Sequence, residues 1–326
     1  MKIRYFTILV LIVLLAACVQ ERPEKLSDQM KRQLALLPQD SDLLGYVNLQ
    51  QIQQSGVAKT VFDSAARCEL HDKEFNEFIT ATGFDFRKDV SEVYFCAGIK
   101  DKEQAEKDFN GLFVATGNFD PEKIIAYARS KQQDQEVAEE MNGQFKLYRA
   151  GKENFVFCFA DQRTLAGGKP ALVKSWLDKS AQPAELKLAD NWQQAIESLK
   201  YKNGLWLVLT TEKLAGLLDQ QTDLPKNFEG IKNIKNGSFS MNFSDQVAFD
   251  GEAECLDGGT AELFRDALRG ALATAKLSLS SQRDLVDIIN EVQVDSKNEK
   301  VTVSFKFSTE EIEKLKQMKH TALKPI

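Results

Sequence analysis

The chain has 326 residues, 43% of them apolar and 28% charged. That is the balance of an ordinary globular protein, long enough for about two domains. The net charge is −6. An acidic surface keeps a protein soluble and works against holding a phosphate backbone, which needs clustered Lys and Arg, so no nucleic-acid partner is expected.

Lys2 and Arg4 precede an apolar run of 11 residues at 5–15. A helix needs about 20 apolar residues to cross a bilayer, so this run has the length of a secretory signal core. It ends in Leu15-Ala16-Ala17-Cys18, which resembles the lipobox of bacterial lipoproteins. The resemblance implies that residues 1–17 are a signal peptide and that Cys18 is lipidated. Each buried CH₂ contributes about 0.8 kcal/mol, so two or three acyl chains anchor a soluble body stably. Removing Lys2 and Arg4 takes the net charge to −8. By the same family analogy, Val19 in place of Asp points to the cell envelope's outer membrane, facing the periplasm, in a host that has one.

Residues 18–35 begin as a polar tether. Ser27 is placed to cap a short helix with Met30, Leu34 and Leu37 on one face, ending before Pro38. Pro38 to Asp42 is a turn into a strand at 43–50. A helix carrying Phe75, Phe78 and Ile79 stops near Gly83, and strands are expected at 92–99 and 111–119 around a charged tip at 100–108. Asp120-Pro121-Glu122 combines an N-cap acceptor with Pro at the first helical position, opening a helix to about Ser130. The polar stretch 131–142 is expected to be a loop. A hairpin follows at 145–160 across Gly151, then a short strand at 164–166 and a helix from Pro170 to about Lys179. Residues 180–189 form the junction to a helix with Trp192, Ile196 and Leu199.

The same order then recurs: a strand at 205–210 with a helix at 212–218, strands at 238–243 and 246–255, and a helix at 260–275. Strands at 292–294 and 301–307 come next, taken as the counterpart of the 145–160 hairpin. Ser308-Thr309-Glu310-Glu311 is a capping box opening a final helix. Val93 and Phe155 lie 62 residues apart, as do Phe239 and Val301, which fits a duplication. The expected fold is α+β, with a first domain at 36–180 and a second at 190–320. Each half is a mainly antiparallel sheet with helices on one face.

Alternation distinguishes the halves. Phe239, Met241 and Phe243 oppose Ser238, Ser240 and Asn242, and Val301, Val303 and Phe305 oppose Thr302, Ser304 and Lys306, so the second sheet should be wet on one face. In the first half both strand faces are apolar. Either the chain covers the second face itself, through a domain interface or the 55–85 segment, or that face is an apolar ligand groove. The candidate lining of such a groove is Tyr94, Cys96, Phe113, Val156 and Cys158.

Recognisable catalytic sets are missing. The sequence holds two histidines, His71 and His320, so a Ser-His-Asp or Cys-His device would need His71. Cys68-Glu69-Leu70-His71-Asp72 lacks a second ligand cluster for a four-coordinate zinc. Gly167-Gly168-Lys169-Pro170 lacks phosphate-loop spacing, and Pro170 removes an amide donor. Asp40-Ser41-Asp42 lacks the later ligands of a calcium loop, and Glu139-Glu140 are adjacent and diverge. No cofactor, metal or catalytic residue is expected. Trp176, Trp192 and Trp206 are expected in the core, as are Cys96, Cys158 and Cys255, unpaired. If a bridge forms, Cys96–Cys158 is the first pairing to consider.

Leu36-Leu37-Pro38-Gln39-Asp40-Ser41-Asp42 leading into Tyr46-Val47-Asn48-Leu49, together with Phe119-Asp120-Pro121-Glu122-Lys123, resembles a loose group of bacterial envelope lipoproteins. The resemblance implies a structural kinship over about 35–320 and carries no activity. The expected function is a non-catalytic binding or assembly role at the membrane, with an envelope protein as partner. A carrier of lipid or another apolar ligand is the first alternative, and a hydrolase without a recognisable motif the second.

Overall fold

The computed structural model describes residues 24–57, 73–98, 110–131, 138–149, 154–182, 187–209 and 233–322. The lipobox, Cys68 to Asp72, the tip at 100–108, Gly151 and the helix expected at 212–218 lie outside the described residues.

The first half runs α1 (Asp28–Leu36), β1 (Leu43–Asn48), α2 (Leu49–Gln54), α3 (Lys73–Thr82), α4 (Phe86–Asp89), β2 (Val90–Ala97), β3 (Gly111–Gly117), α5 (Pro121–Lys131), β4 (Ala138–Asn142), β5 (Phe145–Arg149), β6 (Val156–Asp161), β7 (Thr164–Gly168) and α6 (Pro170–Ser180). The second runs α7 (Asp190–Glu197), β8 (Leu205–Leu209), β9 (Ile234–Phe243), β10 (Gln246–Cys255), α8 (Gly258–Ser278), α9 (Arg283–Asn290), β11 (Gln293–Lys297), β12 (Lys300–Ser308) and α10 (Thr309–Ala322).

Local chemistry sets many of these boundaries. Ser27 Oγ accepts from the Met30 amide at 3.1 Å, and Asp257 accepts from the Thr260 amide at 2.7 Å, each satisfying an amide that the first helical turn leaves unpaired. Ser308 and Glu311 close their capping box reciprocally, at 2.7 and 3.3 Å. Gly83 ends α3 with φ +72°, a conformation that costs glycine little. The turn after α1 is tied on three sides through Gln39. Its amide nitrogen donates to the carbonyls of Leu34 and Leu37 at 3.0 and 2.7 Å. Its amide oxygen accepts from Ala189 N at 2.9 Å, and its carbonyl accepts from the Trp192 indole at 3.2 Å.

The fold is α+β. The described strands form one twelve-stranded sheet in the order β11-β12-β10-β9-β8-β1-β2-β3-β7-β6-β5-β4, antiparallel at every pairing. The two runs of strands expected from the sequence join edge to edge, because β1 pairs with β8 with Tyr46 opposite Trp206. Around that seam the order reads β1-β2-β3-β7-β6 one way and β8-β9-β10-β12-β11 the other. The topological counterpart of β11–β12 is therefore β6–β7, not the 145–160 hairpin. The 62-residue spacing paired unlike strands, since β4–β5 is an additional hairpin extending the first half. The 131–142 loop also needs correction: its end is β4, paired with β5 from Ala138↔Arg149 to Asn142↔Phe145.

Helices flank the first half on both faces rather than one, because both faces of its strands are apolar and need cover. Met30 and Leu34 of α1, Val173, Trp176 and Leu177 of α6, and Trp192 and Ile196 of α7 fill one side together with Leu44, Tyr46, Tyr94, Cys96, Leu112, Val156, Cys158 and Trp206. On the other side Phe84, Phe119 and Ile124 pack over Val90, Val93, Phe113 and Ala115. Past β8, the second half is covered among the described residues on this other side alone, where α8 places Ala261, Phe264, Leu268 and Leu272 against Cys255, Val294 and Val301.

Candidate functional site

Period-2 alternation over β9, β10 and β12 turns their polar residues to the side that α1, α6 and α7 cover in the first half. Beyond α7 no described helix covers that side. Asn236, Ser238, Asp250, Glu252, Glu254 and Ser304 are left half-buried and Thr302 exposed on a polar floor, with the exposed Lys300 and Lys306 beside them. Burying this floor against an apolar helix would strand its carboxylates and hydroxyls without water.

Two clefts border the floor. The first, about 370 Å³, lies between α7 (Asn191, Gln194, Ser198) and Ser238, Glu252 and Lys300. Lys300 Nζ holds Glu252 at 2.6 Å, and Asn236 donates to Glu254 at 3.2 Å. The second, about 270 Å³, is lined by Glu24, Lys200, Tyr201, Asn242, Gln246 and Lys306. There Lys200 Nζ lies 3.3 Å from Asp250 and 5.2 Å from the centroid of the Tyr201 ring, and burial pushes the Tyr201 phenol upward. Both clefts offer mixed charges and amides, suited to a hydrophilic partner.

Glu24 fixes the start of the described chain to this same region. Its carboxylate accepts from the amides of Lys202 and Asn203, each at 2.9 Å. The Lys202 side chain is buried and donates to Glu197 O at 3.2 Å, and burial lowers its pKa.

The apolar-groove expectation fails on geometry. Tyr94, Cys96, Val156 and Cys158 are core residues beneath α1, α6 and α7, with their contacts supplied by the chain itself. Phe113 lies on the opposite face, stacked on Phe155 at 6.3 Å with its ring across Gly167. Cys96 and Cys158 are unpaired. They occupy β2 and β6, three strand positions apart, which is about 14 Å at 4.8 Å per strand and far beyond disulfide reach. Burial raises the Cys96 thiol and takes that of Cys158 up to about 11. Cys255 is likewise buried and unpaired.

The other sequence candidates take structural places. Gly167 to Pro170 is the passage from β7 into α6, where the Lys169 amide donates to Gly111 O at 3.0 Å. Asp40 to Asp42 is the turn into β1. Glu139 pairs with Arg129, and Glu140 with Lys174, on the exposed β4. His71 lies outside the described residues, and no group of three or more potential metal-binding side chains occurs among those described.

One polar cluster went unanticipated. The Tyr46 hydroxyl donates to Glu92 Oε1 at 2.7 Å and that of Tyr94 to Oε2 at 3.1 Å. Both phenols are 1% exposed. Burial, then the Glu92 carboxylate, drives their pKa values far above the ordinary range, so they stay protonated as fixed donors. Glu92 beside the apolar run Val93 to Ala97 of its strand was the signal for it.

No protein-family model matches the chain, and no curated relative does. Three solved structures are similar, all of them crystal forms of TP0453. Forms III, IV and I align with TM-scores of 0.48, 0.46 and 0.43 at 9%, 7% and 11% identity. Each alignment covers 86% of this chain and 94–95% of the other.

Proposed function

We propose that the chain is a lipid-anchored protein of the bacterial cell envelope with a non-catalytic binding role, presenting the wet face of β9, β10 and β12 to a hydrophilic envelope partner. The observation that carries this reading is the sequence Leu15-Ala16-Ala17-Cys18 after a signal-length apolar run. No helix among the described residues is long and apolar enough to cross a membrane, so acylation is the means of attachment in this reading. The Glu24 contacts give it a direction. Glu24 is six residues from Cys18, a reach of at most about 21 Å, so the second cleft would sit close to the lipid surface.

Two measurements test the reading. Growth with a clickable fatty acid should label the wild type and not a Cys18→Ser variant, and that variant should leave the membrane fraction. A photo-crosslinking residue at Ser238 or Thr302 should then trap an envelope component that the same residue at Glu139 does not. Membrane retention without Cys18 defeats the anchor, and equal trapping from both positions defeats the binding face.

A further inference from the structure

Helix α8 has a second face, turned away from its sheet. Leu263 and Leu277 are 72% and 76% exposed there, and midway between them is Gly270. A Cβ built on Gly270 meets nothing within 4 Å, so no neighbour among the described residues requires glycine at that position. Mid-helix glycine costs about 1 kcal/mol relative to Ala, an expense with no return inside the monomer. Thr274 turns its hydroxyl back to Gly270 O at 2.9 Å.

The pattern is symmetric about Gly270. At 100° and 1.5 Å per residue, Leu263 and Leu277 lie about 20° to either side of it and about 10 Å above and below. Charges follow the same symmetry. Glu262, Asp266 and Lys276 share one flank, at about 12 and 6 Å on the N-terminal side of Gly270 and about 9 Å on the C-terminal side respectively. Arg265 on the same flank is tied within the monomer, to Asp266 at 2.8 Å and to Ser296 at 2.9 Å, which leaves the Glu262–Arg265–Asp266 group with a net negative charge.

We infer that α8 is a self-association surface, on which a second copy of this chain packs antiparallel about a two-fold axis through Gly270. The axis sets Leu263 against Leu277 of the second copy at both ends, and Gly270 allows the backbones to approach at the crossing. It also lowers Lys276 of the second copy between Glu262 and Asp266, twice per dimer. A parallel pairing would set this charged flank against the opposite flank of the second copy, Thr260, Ala267 and Ala271, where no ion pair can form. Arg269, which the axis brings near its own copy, is turned onto β11, donating to Val294 O and Asp295, each at 2.9 Å. One helix pair is a small interface, so the expected association is weak and in the micromolar range.

Sedimentation velocity on the full chain from about 1 to about 300 µM tests this. The wild type should pass from monomer to dimer. Lys276→Glu should weaken dimerisation about tenfold, and adding Glu262→Lys to it should restore part of the loss, since the swap re-creates the 262–276 pair while Asp266 then faces a carboxylate. Gly270→Leu should abolish the dimer while leaving thermal stability equal or higher, because the side chain meets no neighbour and favours helix. A Gly270→Cys variant should yield a covalent dimer on mild oxidation well beyond that of the wild type. A monomer at every concentration, or association indifferent to Gly270→Leu and to the charge swap, overturns the inference and assigns the leucine face to a different occupant.

Discussion

Replacing Glu92 by Ala removes the acceptor shared by two phenols that are 1% exposed. Tyr94 loses the partner of its hydroxyl, and a buried unsatisfied polar group costs about 1–3 kcal/mol. Tyr46 keeps a contact with Asn48 and loses less, so the combined destabilisation should be about 2–4 kcal/mol. Glu92→Gln retains an acceptor oxygen and should cost about 1 kcal/mol. The decisive comparison is Tyr94→Phe introduced into the Ala variant. Removing the orphaned hydroxyl should recover about 1 kcal/mol there, whereas the same change in the wild type should be destabilising. Urea unfolding followed by tryptophan fluorescence reports this, because Trp206 stacks on Tyr46 at 5.8 Å. A Glu92→Ala variant within 0.5 kcal/mol of the wild type, a threshold set by ordinary surface substitutions of about ±0.5, would refute the reasoning.

Gln39→Ala should cost about 2 kcal/mol in the same assay, since the side chain joins the end of α1 to Ala189 N. Asp85 is held below the usual carboxylate range by the Arg87 guanidinium, which it meets twice at 2.7 Å. A depressed folded pKa stabilises above the unfolded value of about 3.9 and the gain is lost as pH falls through the folded one. The wild type should therefore exceed Asp85→Asn by about 1–3 kcal/mol at neutral pH, converging with it below about pH 4 in pH-resolved denaturation. Cys96, Cys158 and Cys255 should resist alkylation at pH 8 and become labelled only at the rate of unfolding, read peptide by peptide by mass spectrometry; fast native labelling at Cys158 would contradict its burial.

Elements whose signal is local were legible in the sequence. The caps at Ser27 and Ser308 and the alternation through 238–255 and 300–308 each reside in a few consecutive residues. The polar floor followed directly from Ser238, Asp250, Glu252 and Thr302 alternating with apolar neighbours, whereas Ser240, expected on the same wet face, is buried and accepts from the Tyr201 amide at 3.3 Å. What sequence reasoning missed depends on distant or edge pairing. β4, Ala-Glu-Glu-Met-Asn, is a polar edge strand whose side chains bury little, so periodicity had nothing to register. α9 is short, and its core contribution rests on Leu285 and Ile288. The Glu92 cluster needed the β1–β2 register, which sets Tyr46 against Tyr94. The first cleft needed the placement of α7 and the second that of Glu24, Lys200 and Tyr201, which no residue of β9 or β10 announces.

The β1–β8 seam carries a consequence for biogenesis. β1 gains its second neighbour only when residues 205–209 exist, 162 positions after Leu43. At about 5–20 residues per second of synthesis, a chain emerging N-terminus first would show a bare, apolar strand margin for roughly 8–30 s. Unpaired margins of that kind recruit other polypeptides. A holdase would be of most use in that interval, and a fragment ending at the 180–189 junction would keep the hazard permanently.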